Sequence, residues 1–204
     1  MNSNSEMVCL KNRSGIRSQS AKPFNMTSLS AVAVVVTVAW LGTVALAAEN
    51  SPSATNKAIR INAGATTSWT DESGNTWLPD QGFEGGRTVD RGKIEIAGTT
   101  MPTIYQTEHY GMKTFKQAVP NGVYTIRLHF AETFPKITAK GQRVFSVKVE
   151  DQEIKDLDVV ARAGSPKTAL VETVNVNVTD GSLDITFTPG IQNPEINGIE
   201  IIPK

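Results

Sequence analysis

The stretch VYTIRLHFAETFPKITAKGQ, residues 123–142, decides the fold. Its first half alternates apolar and polar side chains, which is the pattern of a strand with one buried face. The apolar positions of this predicted strand are Ile126, Leu128 and Phe130. His129 belongs to the polar face, and the strand then breaks into a loop that carries Glu132 and Phe134. Because recognition residues usually lie on loops fixed to a rigid sheet, this stretch predicts both a core strand and the edge of a binding site.

Short alternating runs of the same kind recur along the chain. They cover residues 57–63, 144–150, 170–178, 183–187 and 196–202. Two turn signals, Pro120-Asn121-Gly122 and Asp180-Gly181, predict hairpins between the strands that flank them. Roughly eight to ten short strands without a helical period predict an all-β protein. We therefore expect an antiparallel β-sandwich or jelly roll, lectin-like in form, with long loops that build a site.

The N-terminal residues predict export from the cytoplasm. Residues 1–47 combine a long basic n-region, an uncharged apolar run and the small-residue site Ala45-Leu46-Ala47, which are the features of a signal peptide. The alternative is an uncleaved membrane anchor, because the apolar run approaches the ~20 residues that span a bilayer. The predicted location is secreted, extracellular or periplasmic, or membrane-anchored if this segment is retained. Residues 48–56 are predicted to form a polar linker, and residues 57–204 the domain.

Charge and cysteine content exclude several partner classes. The chain has 20 basic and 20 acidic residues; residues 1–47 hold four of the basic and one of the acidic ones, so the remainder carries 16 and 19, a net charge of −3. No basic field is left to attract nucleic acid. The single cysteine, Cys9, lies in the leader, which excludes a disulfide within the domain. His109 and His129 lack zinc-binding spacing, so no metal and no cofactor are predicted.

The loops carry the residue types that a sugar site needs. A sugar presents apolar ring faces bordered by hydroxyl groups, so its site combines flat aromatic side chains with polar ones. Residues 64–91 form a long polar connection of the kind that is usually functional. The predicted ligand-binding residues are Trp77, Asp90, Arg91, Glu132, Phe134 and Gln192, and a second group comprises Tyr105, Tyr110 and Asn193. Trp77 and Phe134 stand among polar residues and prolines, so we expect both to be exposed and to stack on sugar rings.

Several sequence blocks, in a fixed order, resemble one family. They are INAGA at 61–65, FEGGR at 83–87, YQTEHYG at 105–111, YTIRLHFAE at 124–132, RVFSVKVE at 143–150, DLDVVARAG at 156–164, LDITFTP at 183–189 and NPEINGIEI at 193–201. The chain resembles a malectin domain, of the type found in bacterial secreted proteins. The resemblance implies a lectin-type jelly roll that binds glucose-containing oligosaccharides in a loop-lined pocket without catalysis.

The family's diglucose-binding positions are only partly kept. Where animal malectins have aromatics, Trp77 keeps the first and Arg91 replaces the second. Phe134 keeps one member of the pair that follows the FAE block, and Pro135 replaces the other. Gln192 stands where the family has an aspartate. The resemblance therefore implies the fold and the place of the site, but not a preference for diglucose.

Two other functions remain open from the sequence. Arg91, Pro135 and Gln192 favour a protein–protein adhesion or structural module that has lost sugar binding, with a protein partner in place of a carbohydrate. A glycoside hydrolase would need two loop carboxylates about 5 Å apart, or about 6.5–9.5 Å apart, across the scissile bond. The loop acids do not show a spacing that marks such a pair. The sequence thus predicts non-catalytic carbohydrate binding.

Overall fold

The computed structural model describes residues 57–204, so the predicted leader at 1–47 and linker at 48–56 lie outside the described residues. Within this range the chain forms twelve strands, a 3₁₀-helix at Pro102–Gln106 and a short helix α1 at Val159–Ala163. The strands are β1 Ile59–Asn62, β2 Trp69–Thr70, β3 Thr76–Trp77, β4 Phe83–Asp90, β5 Thr107–Ala118, β6 Gly122–Phe130, β7 Val144–Val149, β8 Gln152–Leu157, β9 Leu170–Val178, β10 Ser182–Ile191, β11 Glu195–Ile196 and β12 Gly198–Pro203.

Two antiparallel sheets enclose the main core. One has the order β1-β12-β6-β9; the other has the order β11-β5-β10-β7-β8, and β4 also pairs with β5. Strand β6 contributes Ile126, Leu128 and Phe130, each fully buried, as its alternation predicts. They belong to the same apolar cluster as Phe115 and Phe145 of the opposite sheet. The predicted all-β antiparallel sandwich is confirmed.

Both predicted hairpins are wrong. Residues 119–121 link β5 to β6, but β6 pairs with β12 and β9 in the other sheet. Asp180-Gly181 likewise links β9 to β10, which pairs with β5 and β7. A tight turn reverses the direction of the chain but does not determine which strands pair with each other. The apolar faces are buried only when both connections cross from one sheet to the other. A hydrogen bond links the two connecting turns, because the Val119 N–H donates to the Gly181 carbonyl at 3.0 Å.

A second, smaller core covers the outer face of the first sheet. We call it the outer core; its buried members are Trp77, Ile96, Ile104, Tyr105 and Ala131. His129 points to this side of β6, and it is only 3% exposed because the outer core covers it. Gly198 of β12 allows Ile104 of the outer core to pack close against the sheet, because a Cβ at position 198 would lie 2.9 Å from Cγ2 of Ile104. Near its C-terminal end, the polar face of β6 is therefore covered by the outer core and is not exposed to solvent.

Candidate functional site

A cleft of about 240 Å³ opens at the end of β4 beside the loop that follows β6. Its walls come from the β4 and β5 strands, the 131–143 segment and the connection between β10 and β11. The lining residues are Val89, Arg91, Glu108, Tyr110, Phe134, Arg143, Gln192 and Asn193. We call this space the Arg91–Phe134 cleft. It mixes aromatic, charged and amide side chains in one concave surface.

Arg91 and Phe134 form one wall of the cleft. The Arg91 guanidinium donates through Nη2 to Oε1 of Glu108 at 2.6 Å, and its Nε donates to the Thr133 hydroxyl at 3.3 Å. The same guanidinium lies over the Phe134 ring, 5.7 Å from the ring centroid. Such an arrangement is a cation–π contact. Because Glu108 is 1% exposed and accepts a hydrogen bond from the guanidinium, the position of this wall is fixed by contacts within the domain.

Gln192, another lining residue of the cleft, has an unusual backbone conformation. Its φ of 65° lies in the left-handed region, which side-chain-bearing residues adopt rarely. Holding a non-glycine residue there costs on the order of 1 kcal/mol, and such strain persists where the surrounding structure demands it. The side chain is exposed at the cleft and stands beside Asn193. The strained backbone thus presents two amide groups together.

A cluster of buried ionisable groups lies at and beneath the cleft floor. Arg143, 7% exposed, lines the cleft, and its Nε lies 3.1 Å from Oε2 of Glu132 without the alignment of a hydrogen bond. The other oxygen of Glu132 accepts from the Phe134 N–H at 2.9 Å. Glu195 is fully buried, and within residues 57–204 neither of its carboxylate oxygens has a hydrogen-bond partner. We call Glu108, Glu132, Glu195, Arg91 and Arg143 the ionic floor.

Burial shifts the titration of two acids in the ionic floor. It raises the pKa of Glu195 well above the usual carboxyl range; Arg143 opposes this shift, and Glu108 and Glu132 add to it. Burial also raises the pKa of Glu132, while Arg143 and the Phe134 N–H act in the opposite direction. A carboxyl without a partner takes up a proton because burial penalises its charged form. Burial therefore favours the protonated form of Glu195.

The structure places four of the sequence-predicted site residues outside the lining of the cleft. Trp77 is fully buried, so its expected exposure is wrong: it stacks on Trp69 at 5.8 Å between centroids, and its Nε1–H donates to Asp71 at 3.2 Å. Tyr105 is 1% exposed, with its hydroxyl 3.0 Å from Nδ1 of His129. Both aromatics belong to the outer core.

The two acidic residues of the predicted site, Asp90 and Glu132, also lie away from the cleft surface. Asp90 is exposed and does not line the cleft; its carboxylate accepts from the Gly92 N–H at 2.7 Å and so closes a local turn. Glu132 is 1% exposed and lies below the lining, held by Arg143. The predicted residues that do meet in the cleft are Arg91, Phe134, Gln192, Tyr110 and Asn193.

Sequence reasoning missed three residues of the ionic floor. Glu108, Arg143 and Glu195 stand next to turns or polar neighbours in the sequence, where a charged residue normally faces solvent. One signal was available for Glu195, because it precedes the run Ile196 to Ile202 that alternates as a buried strand. Pairing of β11 with β5, with Glu195 opposite Tyr110, carries this acid into the interior.

His109 lies between two hydrogen-bond acceptors. Its Nδ1 lies 3.0 Å from an Asp80 carboxylate oxygen, and its Nε2 lies 2.9 Å from the Gly85 carbonyl oxygen. Both ring nitrogens therefore face acceptors, which favours the doubly protonated ring. Burial lowers the pKa of His109, but Asp80 and the Gly85 carbonyl outweigh it and raise the pKa overall. Among the described residues no group of three or more potential ligands could hold a metal ion.

The comparisons with known proteins identify the class of fold. Residues 57–200 match the Malectin domain, and the chain belongs to this family. The kinesin-like protein KIN-14E of Oryza sativa subsp. japonica is 28% identical over 155 residues, which are 72% of this chain and 14% of that protein.

Two solved structures have the same fold. The β-glucuronidase of Bacteroides uniformis aligns with a TM-score of 0.65 and 25% identity over 72% of this chain and 18% of its own. The complex of the plant peptide RALF23 with FER and LLG2 aligns with a TM-score of 0.61 and 23% identity over 71% of this chain and 48% of its own. The chain thus spans less than a fifth of KIN-14E and of the β-glucuronidase.

Proposed function

We propose that this malectin domain binds carbohydrate non-covalently in the Arg91–Phe134 cleft. The observation that carries the proposal is the half-buried Phe134 ring, fixed under Arg91 and facing a concave surface with two amide side chains. A flat ring offers a surface to the apolar face of a sugar, and amides hydrogen-bond to its hydroxyl groups. The protein would be a lectin without catalytic activity.

The size of the cleft favours a short sugar segment. Its volume of about 240 Å³ lies below the ~300 Å³ at which pockets for drug-sized ligands begin. One or two rings of an oligosaccharide, or a terminal or exposed ring of a polysaccharide, suit this space. Because Trp77 is buried and Arg91, Pro135 and Gln192 replace family residues, we do not assign the diglucose preference of animal malectins to this chain.

The buried acids argue against glycoside hydrolysis. Glu132 and Glu195 have raised pKa values, as a general acid requires, but they are 1% and 0% exposed and neither lines the cleft. Glu108 does line it, yet its oxygens accept from Arg91 and from the Thr133 hydroxyl. Since hydrolysis of a glycosidic bond needs two accessible carboxylates, we assign a binding role to the cleft. The match to the β-glucuronidase, over 18% of that chain, does not change this proposal.

Binding of a protein partner is the second candidate function. Ile191 precedes the cleft residue Gln192 in the chain and is 51% exposed, the most exposed of three exposed large apolar side chains within residues 57–204. A peptide with an apolar residue would cover it. The similar structure in which RALF23 is complexed with FER and LLG2 provides a precedent for a peptide and protein partners within such an assembly.

We propose that the domain acts outside the cytoplasm, after export directed by residues 1–47. The support is the signal-peptide pattern of those residues, which lie outside the described part of the chain. Within residues 57–204 no helix is long and apolar enough to cross a membrane. N-terminal sequencing of the mature protein distinguishes cleavage after Ala47 from a retained anchor.

Titration calorimetry with gluco-oligosaccharides and cell-wall polysaccharide fragments tests the binding proposal. We expect saturable binding by the wild-type protein and weaker binding by Phe134→Ala. Val123→Ala, at an exposed position outside the cleft, is the matched control and should bind as the wild type does. The absence of binding to every saccharide, together with binding of a peptide that depends on Ile191, would replace this proposal by the second candidate.

A further inference from the structure

The free edge of β9 differs from the other strand edges of the two sheets. Strand β9 pairs with β6 along all nine of its residues without a bulge, and its second edge has no strand partner within residues 57–204. It is longer than β1, β4 and β8, which also lie at sheet edges. An unpaired edge presents a row of backbone N–H and C=O groups that another strand can bind.

The other edges carry features that oppose the addition of a strand. Strand β8 has the charged residues Glu153, Lys155 and Asp156, β4 has a register shift near its N-terminal end, and β1 has only four residues. Charges, bulges and short length all protect a sheet edge. The segment 173–178 of β9, Thr-Val-Asn-Val-Asn-Val, has no charged residue, glycine or proline. Its β-branched residues favour a strand, so this edge is suited to pairing.

The C-terminal end of β9 borders an acidic groove of about 540 Å³. Asn175 and Asn177 line it from β9, and Glu150 and Asp151 line it from the turn between β7 and β8. Within residues 57–204 no lysine or arginine lines this groove. Val123, near the start of β6, also lines it, whereas the Arg91–Phe134 cleft lies beyond the end of β6. The groove is therefore separate from the proposed sugar site.

The N-terminal end of β9 carries an arginine. Helix α1 packs beside this end, and its Arg162 donates through Nη1 to Oε1 of Glu172 at 2.6 Å. The Arg162 side chain is 39% exposed, and a guanidinium has five N–H donors, so it can serve a second acceptor. Antiparallel pairing of two β9 strands about a two-fold axis places the N-terminal end of each beside the C-terminal end of the other. Arg162 of one copy then lies near Asp151 of the other copy, and this contact occurs twice.

We propose that two copies of this chain associate by antiparallel pairing of their β9 edges, which joins their four-stranded sheets. A register centred on Asn175 places Val174 opposite Val176 of the other copy, so the apolar side chains stay on the inner face. Asn175 then faces its own counterpart, and the two amides, each with donors and an acceptor, are able to hydrogen-bond. The chain is thus complementary to itself along this edge in shape, polarity and charge.

Sedimentation and light scattering of the purified protein over a concentration series test the association. The apparent mass of the wild type should rise with concentration toward twice that of the monomer. Asn175→Lys places two like charges opposite each other, so the dissociation constant of the dimer should rise about 5-fold or more. Thr188→Lys, at an exposed position of β10 in the other sheet, is the matched control and should associate as the wild type does. A wild type that stays monomeric throughout would overturn the inference and leave the edge to a strand from another protein.

Amide hydrogen exchange at low and high protein concentration tests the location. Protection should increase with concentration in β9, where the edge N–H groups gain acceptors. Increased protection around Ile191 instead of β9, or association that Asn175→Lys leaves unchanged, would overturn the inference.

Exchange of charges tests the two-fold arrangement. Arg162→Glu and Asp151→Lys should each weaken the dimer, and the double variant should recover most of the lost affinity because the opposite charges meet again across the interface. Unfolding of each variant at a concentration where it is monomeric separates a loss of pairing from a loss of folding. A double variant as weak as the sum of the single ones would overturn the antiparallel pairing.

Discussion

The outer core and the Arg91–Phe134 cleft both take aromatic residues from polar loops, yet only one of them is open. In the outer core the indole N–H of Trp77 donates to Asp71, and that of Trp69 donates to Asn62 at 3.0 Å. The internal acceptor for its polar edge allows the Trp77 ring to be fully buried, and the half-buried Trp69 ring stacks on it. Phe134 instead has one ring face under Arg91 and stays half-buried. A polar sequence environment can therefore supply the partners for burial as readily as it can signal exposure.

Truncation of Trp77 is the strongest way to test this contrast. Trp77→Ala should lower the free energy of unfolding by about 3–5 kcal/mol, because it leaves a large cavity and an unpaired Asp71 acceptor. Phe134→Ala should lower it by less than about 1 kcal/mol, since that ring is half-buried. Guanidinium unfolding of both variants checks the difference. Equal losses in the two variants would mean that the distinction between a core and a site is wrong.

Glu195 offers a test of the ionic floor below the cleft. Glu195→Gln should raise the free energy of unfolding at pH 7 by about 1–3 kcal/mol. At this pH the buried carboxyl must either hold a proton or carry a charge without a hydrogen-bond partner, and the neutral amide avoids both costs. The folded-state pKa of Glu195 is raised, so its contribution to stability is full below the unfolded-state pKa and is lost as pH rises toward the folded-state value.

Unfolding measured from pH 4 to pH 8 checks the sign. The advantage of Glu195→Gln should grow with pH across this window and vanish at its acidic end. Glu72→Gln, at an exposed position, should show no such trend. An advantage that is independent of pH would contradict the assignment of a neutral Glu195.

Phe134 tests the cleft side of the comparison through ligand affinity. Phe134→Ala should weaken sugar binding by about 0.5–1.5 kcal/mol, the contribution of one aromatic face. The measurement is calorimetry at matched fractions of folded protein. Phe134→Tyr keeps the ring and should restore most of the affinity; failure of the tyrosine variant to bind better than the alanine variant would remove the stacking role.

The smallest effect is expected at the His109–Asp80 pair, which joins the long first loop to β5. The folded-state pKa of His109 is raised, so its stabilisation is full below the unfolded-state pKa near 6.5 and is lost as pH rises through the folded-state value. Asp80→Asn should remove about 0.5–1 kcal/mol at pH 6 and less at pH 8. Thermal unfolding at the two pH values checks this, and a larger loss at pH 8 would contradict a charged His109.

The cleft could be predicted from the sequence only in part. Residue type and loop position predict Arg91, Phe134 and Gln192 as site residues, and all three line the cleft. The burial of Trp77 was not predicted because it depends on the 3₁₀-helix region and on His129 of β6, which are distant in the sequence. Glu195 and Arg143 were missed because their burial depends on strands and loops that come together across the fold.

The sequence by itself determined the all-β class and the inward face of β6, because alternation with a period of two is a local property of a strand. It also determined the family, through blocks that keep their order from residue 61 to residue 201. Tertiary structure alone decided that the two Gly-containing turns cross between sheets, that His129 and Trp77 are covered, and that Arg143 lies incompletely bonded in a cleft. Sheet partners and burial depend on contacts between distant segments, and no local pattern specifies them.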